Sequence, residues 1–303
     1  MAVTRYPMNQ MTHRRALTCA LALAALTAAC GRSAATIVVG SKNSTEQAIL
    51  GEIVAQHLEH RLMRKVTRRL SVGNTLIAYQ SLQNGEIGLY PEYTGAIVTE
   101  ILREQASNDA PLMFERARGE MRRVAQSELL DPLGVNNTFV GVIRANDARA
   151  GAAVNMSAAA DVKEPWKIAI TYDFQQRYDG IPALTQYHLP MAAPVRAVEA
   201  NAIYRVLDED QVSMIVTSAT DGNLASAARK ILTDDRNRFT PQQACILVRQ
   251  PLLDAEPRLR AALAELSGRF DNERMRRMNA QVDVERRDVA TVAAEFLAGA
   301  GLK

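Results

Sequence analysis

Residues 37–95 constrain this chain more than any other stretch. They open with I-V-V-G-S-K-N-S-T-E-Q and close with L-Q-N-G-E-I-G-L-Y-P-E-Y-T-G. Strands expected at 37–39 and 86–90 each stop at a polar or aromatic cluster, and open α/β sheets bind small molecules at the carboxyl ends of their strands. Between them, Ser44 and Gln47 stand at capping-box spacing, and Ile49, Leu50, Ile53, Val54 and Leu58 share one face of a helix over 43–60. A β-like segment at 66–72 and a helix at 75–83 complete a β-α-β-α-β unit.

The same order repeats further on, with strands expected at 167–171 and 211–217 and a helix at 197–207. Y-Q-S-L-Q-N-G-E-I-G-L-Y-P-E-Y aligns with Y-R-V-L-D-E-D-Q-V-S-M-I-V-T-S at a constant offset of 125 residues, so Tyr93 corresponds to Ser218. Two similar units that place equivalent strand ends opposite each other make a cleft. The pattern from 252 onward is mostly helical, with E-R-M-R-R at 273–277 read as a solvated face, and 148–160 reads as a loop or short helix.

The amino terminus says where such a protein works. His13, Arg14 and Arg15 precede an apolar run over 16–26 and then Thr27-Ala28-Ala29-Cys30-Gly31. The run is too short to span a bilayer, and small residues ahead of a cysteine read as an export signal ending in a lipobox. Residues 1–29 are then the signal peptide, Cys30 carries the lipid and 30–35 form a linker. Without residues 1–29 the chain falls from 36 basic and 33 acidic residues to 33 of each. That balance argues against a nucleic-acid partner, whose footprint is a basic excess. Cys245 is left with no disulfide partner, and C-I-L-V around it reads as a strand interior. The expected location is the periplasmic or extracellular face of a bacterial membrane, held by the lipid alone.

The motifs S-K-N-S-T-E-Q, N-G-E-I-G-L-Y-P-E-Y-T-G, P-L-G-V-N-N-T-F, R-Y-D-G, A-T-D-G and V-D-V-E-R-R-D-V-A-T-V-A-A-E-F-L resemble those of the substrate-binding lipoproteins of osmoprotectant ABC importers, which take glycine betaine, carnitine or choline. The resemblance covers residues 36–303 in order. It implies an α/β, two-lobed periplasmic-binding-protein fold of type II, each lobe a mixed sheet flanked by helices. Lobe 1 would comprise 36–136 and 243–303, and lobe 2 would comprise 137–242. The implied protein is a monomer without cofactor or metal whose cleft closes on a small solute and is read by the permease subunits.

A zwitterion presents a carboxylate, best held by Lys and a bidentate Arg, and a methylated ammonium that aromatic faces attract by about 0.5–2 kcal/mol each. The resemblance places Lys42 and Arg177 on the carboxylate. It places Tyr93, Thr94 and Phe139 in the cleft with Ser218, Thr220, Gln242 and Gln243. Ser218 and the Gln242-Gln243 pair stand where tyrosines are usual, Phe139 replaces a Tyr, and Ala96 replaces a carboxylate-binding Thr. The cation grip therefore looks dismantled while the carboxylate grip looks kept. A polar, amino-acid-like ligand without a quaternary ammonium is the alternative, unless Tyr172, Tyr178 or Tyr187 fills the gap.

Other residues have plainer expectations. Glu46 and Glu92 read as structural, Asn136 and Asn137 as hinge or turn residues, and Asp221 as a cap. Arg177 has Asp173 and Asp179 within pairing distance along the chain. No G-x-S-x-G, H-E-x-x-H, C-x-x-C or G-x-x-x-x-G-K is present, so no enzyme is expected. An exported enzyme or a ligand sensor is the alternative from another class. His57 and His60 lack a third metal ligand and read as surface or boundary residues.

Overall fold

The computed structural model describes residues 36–177 and 180–303; the signal segment, Cys30 and Tyr178 lie outside them. Two five-stranded sheets organise the fold. The first holds β1 (Val38–Gly40), β2 (Thr67–Arg69), β3 (Leu89–Tyr93), β4 (Ser127–Leu129) and β10 (Ala244–Arg249), in the order β2-β1-β3-β10-β4. The second holds β5 (Phe139–Arg144), β6 (Trp166–Thr171), β7 (Met191–Val198), β8 (Met214–Ser218) and β9 (Arg229–Leu232), in the order β7-β6-β8-β5-β9.

The two sheets repeat one pairing pattern. β1 runs parallel to β2 and β3, as β6 does to β7 and β8. β10 runs antiparallel to β3 and β4, as β5 does to β8 and β9. β3 and β8 are the two strands related by the 125-residue offset, and Tyr93 and Ser218 are their last residues. Two expectations shift. The strand ending at 90 instead runs through Tyr93, because β10 pairs with it as far as Ala244. The helix expected at 197–207 begins only at Ile203, since Val198 closes β7 beside Thr171.

Helix α1 (Thr45–Leu62) forms where the capping signal lies: the Ser44 side chain accepts from Gln47 N at 3.4 Å. Its apolar face is wholly covered, and each such aliphatic side chain contributes about 1.5–3 kcal/mol of burial. Helices α2 (Thr75–Gln83) and α3 (Ala110–Ala125) cover the opposite face of the first sheet, where Leu82, Met113, Phe114 and Met121 pack with Tyr90, Cys245 and Leu247. In the second sheet, Trp166, Ile168 and Ile170 face one core and Ala169 the other, the two-residue period of a strand buried on both sides.

The chain crosses between the sheets twice, and the crossings pair into an antiparallel ribbon. Asn137 N donates to Gln242 O at 2.9 Å, Ala244 N to Val135 O at 2.9 Å, and Asn136 pairs with Gln243. Side chains alternate across such a ribbon, so Asn137 and Gln242 share one side and Asn136 and Gln243 the other. Asn272 clasps the ribbon through both groups of its amide: its Oδ1 accepts from Asn136 N and its Nδ2 donates to Asn136 O, each at 2.8 Å.

Helix α4 (Asn272–Asp283) touches elements that belong to both sheets. Thr45 Oγ1 donates to Asp283 Oδ1 at 2.6 Å from the start of α1, and Arg276 Nη1 donates to Ala219 O at 2.9 Å just past β8. Gly222 makes the close approach possible, since a Cβ there would lie 2.6 Å from Ala280 N. No helix among the described residues is long and apolar enough to cross a membrane.

Candidate functional site

Lys42 follows β1 at the carboxyl end of the first sheet. It is 9% exposed, its Nζ is paired with Glu92 Oε1, and it donates to Thr75 Oγ1 at 3.3 Å. The same nitrogen lies 4.6 Å from the centroid of the Tyr93 ring. Glu92 is fully buried, and burial pushes its carboxyl above the usual range against the pull of Lys42. The charge of Lys42 is therefore balanced where it stands, by a carboxylate of the protein.

Tyr93 is committed at its other end. Its hydroxyl donates to Glu46 Oε1 at 2.6 Å, and burial, then the Glu46 carboxylate, hold that phenol well above its ordinary pKa. Glu46 sits in the first turn of α1 and collects donors from distant segments: Asn137 Nδ2 at 3.1 Å and Asn279 Nδ2 at 3.0 Å. The Asn279 amide also donates to Thr220 O at 2.8 Å. Ser218 donates to Asn137 Oδ1 and stands 3.2 Å from Thr220 Oγ1. One polar chain thus runs from Tyr93 through Glu46 and Asn137 to Ser218 and Thr220, joining the carboxyl ends of β3 and β8.

On the second lobe, Phe139 opens β5 opposite Ser218 in the antiparallel register. Its ring packs edge-on to Phe174 at 4.8 Å, and the Arg177 guanidinium lies 5.1 Å from its centroid. Both aromatic rings expected to face a ligand cation are thus approached by a cation of the protein.

The glutamines separate. Gln242 lies on the Asn137 side of the ribbon, where its Oε1 accepts from Ala96 N at 3.2 Å. Gln243 lies on the opposite side, with its backbone bonded to Thr94 through N (3.2 Å to Oγ1) and O (3.0 Å from N). Thr94 is fully buried under this ribbon. Period-two alternation in T-P-Q-Q-A is the signal that separates the pair. Of the tyrosines weighed as replacements, Tyr187 is buried in the second-sheet core with its hydroxyl on Asp234, and Tyr172 is 48% exposed.

Three residues of the polar chain were not expected in a site. Glu46 read as structural, Asn137 as hinge, and Asn279 carried no signal. Gln47, beside Glu46, is fully buried, its side-chain amide close to the Tyr93 hydroxyl but in no well-formed hydrogen bond. Asp221 caps the turn after β8 as expected, accepting from Asn223 N at 2.9 Å. The histidine expectation fails at His57, which is fully buried: α1 packs against residues 258–264, and the ring meets Ala262 O at 2.8 Å. His60 is exposed.

The fold is that of the two-lobed α/β solute-binding proteins, with strand ends gathered beside a two-stranded crossover. The match to a family model over residues 35–299 makes the membership specific: the chain belongs to the family described as the substrate binding domain of the ABC-type glycine betaine transport system. It is 25% identical over 269 residues to the carnitine transport binding protein OpuCC of Listeria monocytogenes, covering 88% of this chain and 87% of that protein. It is 28% identical over 301 residues to a glycine-betaine-binding protein of Pseudomonas aeruginosa, covering 96% and 94%. A crystal structure titled as a glycine betaine/carnitine/choline ABC transporter superposes with a TM-score of 0.82 at 22% identity, covering 88% of this chain and 99% of that one.

Proposed function

We propose that this protein is the extracytoplasmic substrate-binding component of an ABC importer, without catalytic activity, which captures a small zwitterion of the glycine betaine class and delivers it to a membrane permease. In this reading lobe 1 is 36–136 with 243–303, lobe 2 is 137–242, residues 1–29 are removed on export, and a lipid on Cys30 tethers a monomer to the membrane.

One observation carries the ligand reading: Lys42 lies by the Tyr93 ring and Arg177 by the Phe139 ring. Lys42 is fixed by Glu92 and offers its remaining donor capacity to a carboxylate where it stands. Arg177 follows the short helix Tyr172–Gln176 and is only partly buried; in this reading it is the cation that exchanges its present contacts for the ligand. A ligand carboxylate draws the guanidinium into a charge-assisted pair, which exposes the Phe139 face to the ligand's ammonium. Recognition is then led by the carboxylate. Choline, which has the cation alone, is expected to bind at least roughly tenfold more weakly than glycine betaine, the loss of about one charge-assisted contact.

A second reading has its own observation, the fully buried amide of Gln47, which makes no well-formed hydrogen bond, beside a site poor in aromatics. It favours a ligand with N–H donors of its own, such as an unmethylated amino acid. Calorimetric titration with glycine betaine, choline and glycine separates the readings. Preference for glycine betaine supports the first, preference for glycine the second, and choline binding as tightly as glycine betaine sinks the carboxylate-led mechanism.

A further inference from the structure

The crossover ribbon has a second side. Opposite Asn137 and Gln242, alternate residues Asn136 and Thr138 line an open groove of about 790 Å³, within the size range of small-ligand sites. One wall comes from residues 108–111 at the start of α3, another from 231–239 at and beyond the end of β9, and a third from α4. We propose that this groove is a second binding site, for a small polyvalent oxyanion of the phosphate type, held by Arg236, Arg238 and Arg276.

The charges of the groove point that way. Among the described residues, none of these three arginines takes part in an ion pair, although arginines elsewhere on the surface are commonly bridged to Asp or Glu. Arg238 Nε is buried without a partner. Arg276 donates to the carbonyl of Ala219 and meets no carboxylate within ion-pair distance. Its guanidinium is partly desolvated, which lowers its pKa and raises the value of an anionic partner. The acids of the groove are already used. Asp234 accepts from Tyr187, from Arg238 N at 2.8 Å and from Phe239 N at 3.0 Å, while Asp109 caps α3 through Leu112 N at 2.9 Å. The lining therefore carries three guanidiniums against the carboxylates of Asp109 and Asp234, which are turned to neutral donors of the protein, and Arg238 Nε is left as a buried donor without a partner. Arginine forks match the oxygen spacing of tetrahedral oxyanions, and three of them suit a multiply charged one.

The probe is inorganic phosphate, titrated calorimetrically into the protein at constant ionic strength and with no cleft ligand present. The expected result is a saturable, single-site isotherm, weakened roughly tenfold or more in Arg238→Ala and in Arg276→Ala. Arg274→Ala, on the same helix but stacked over Phe296, is expected to leave it unchanged. Should Arg276→Ala fail to fold through loss of its bond to Ala219, Arg238→Ala decides, because no described hydrogen bond or ion pair uses its side chain. A heat that never saturates, or one that Arg238→Ala leaves intact, overturns the proposal.

Discussion

Lys42 and Glu92 form a buried ion pair at the carboxyl end of the first sheet, with the carboxylate fully enclosed and the ammonium nearly so. Removing one member strands the other, and an uncompensated buried charge costs about 3–5 kcal/mol. Lys42→Ala is therefore expected to lower the unfolding free energy by about that amount and to abolish binding of carboxylated ligands. Chemical denaturation of the double variant Lys42→Ala/Glu92→Gln separates the two effects: it recovers much of the stability and none of the binding. A double variant no more stable than the single one would show that the pair is not what Lys42 supports.

Glu46 Oε1 accepts from Tyr93 and Asn137, and Oε2 from Asn279. A glutamine keeps one acceptor and turns an NH2 toward the Asn279 amide. Glu46→Gln is expected to cost about 1.5–3 kcal/mol, the range for hydrogen bonds to a charged group, and to weaken ligand binding because Tyr93 loses its anchor. A thermal melt and a titration on the same sample check both halves. Unchanged stability would mean that the polar chain between the lobes carries no weight.

His57 gives the molecule a pH dependence of known sign. Its Nε2 meets Ala262 O, its Nδ1 is buried in no well-formed hydrogen bond, and burial, outweighing the carbonyls of Ala262 and Leu302 and the charge of Glu265, lowers its pKa below 6.5. The unfolded chain thus takes up the proton first. Stability from this residue is full above the unfolded pKa and is lost as pH falls through the folded one, with a slope of at most about 1.4 kcal/mol per pH unit. Between about pH 7 and pH 5 the unfolding free energy of the wild type should fall more steeply than that of His57→Gln. Parallel curves would remove the assignment.

Gly222 sits where α4 meets the turn after β8, and an added Cβ would press on Ala280 N at 2.6 Å and Asn279 C at 2.7 Å. Both contacts are backbone, so the helix itself must shift. Gly222→Ala is expected to cost about 1–3 kcal/mol, the usual range for overpacking, and to disturb the Asn279 bond to Thr220. A melting temperature equal to that of the wild type would show that α4 is free to move away from the second lobe.

Much of the architecture was legible because it is written in local signals. The cap at Ser44, the apolar face of α1 and the 125-residue offset between β3 and β8 depend on neighbours in sequence or on a repeated pattern. The site was less legible because it depends on convergence. Asn279 reaches Glu46 across 233 positions, and nothing around M-N-A marks that asparagine as bound for a cleft. Glu46 looked like an ordinary first-turn acid, favourable at a helix amino terminus for its charge alone. Gln242 and Gln243 were joined by adjacency, whereas a ribbon separates adjacent residues by turning them to opposite sides. Lys42 was marked by sequence as a cation at a strand end, but its pairing with Glu92 and its place by the Tyr93 ring required the fold.

The measurement that bears most directly on the account is the melting temperature of the folded protein as glycine betaine is raised, with choline as the comparison. Ligand at about 100 times its dissociation constant adds roughly 2.7 kcal/mol to stability, a shift well within reach of such a melt. A saturable rise with glycine betaine is expected, with a midpoint at least roughly tenfold higher for choline. No rise with glycine betaine at concentrations of order 10 mM, in a protein that melts cooperatively, would place its dissociation constant above that level and contradict the assigned ligand class.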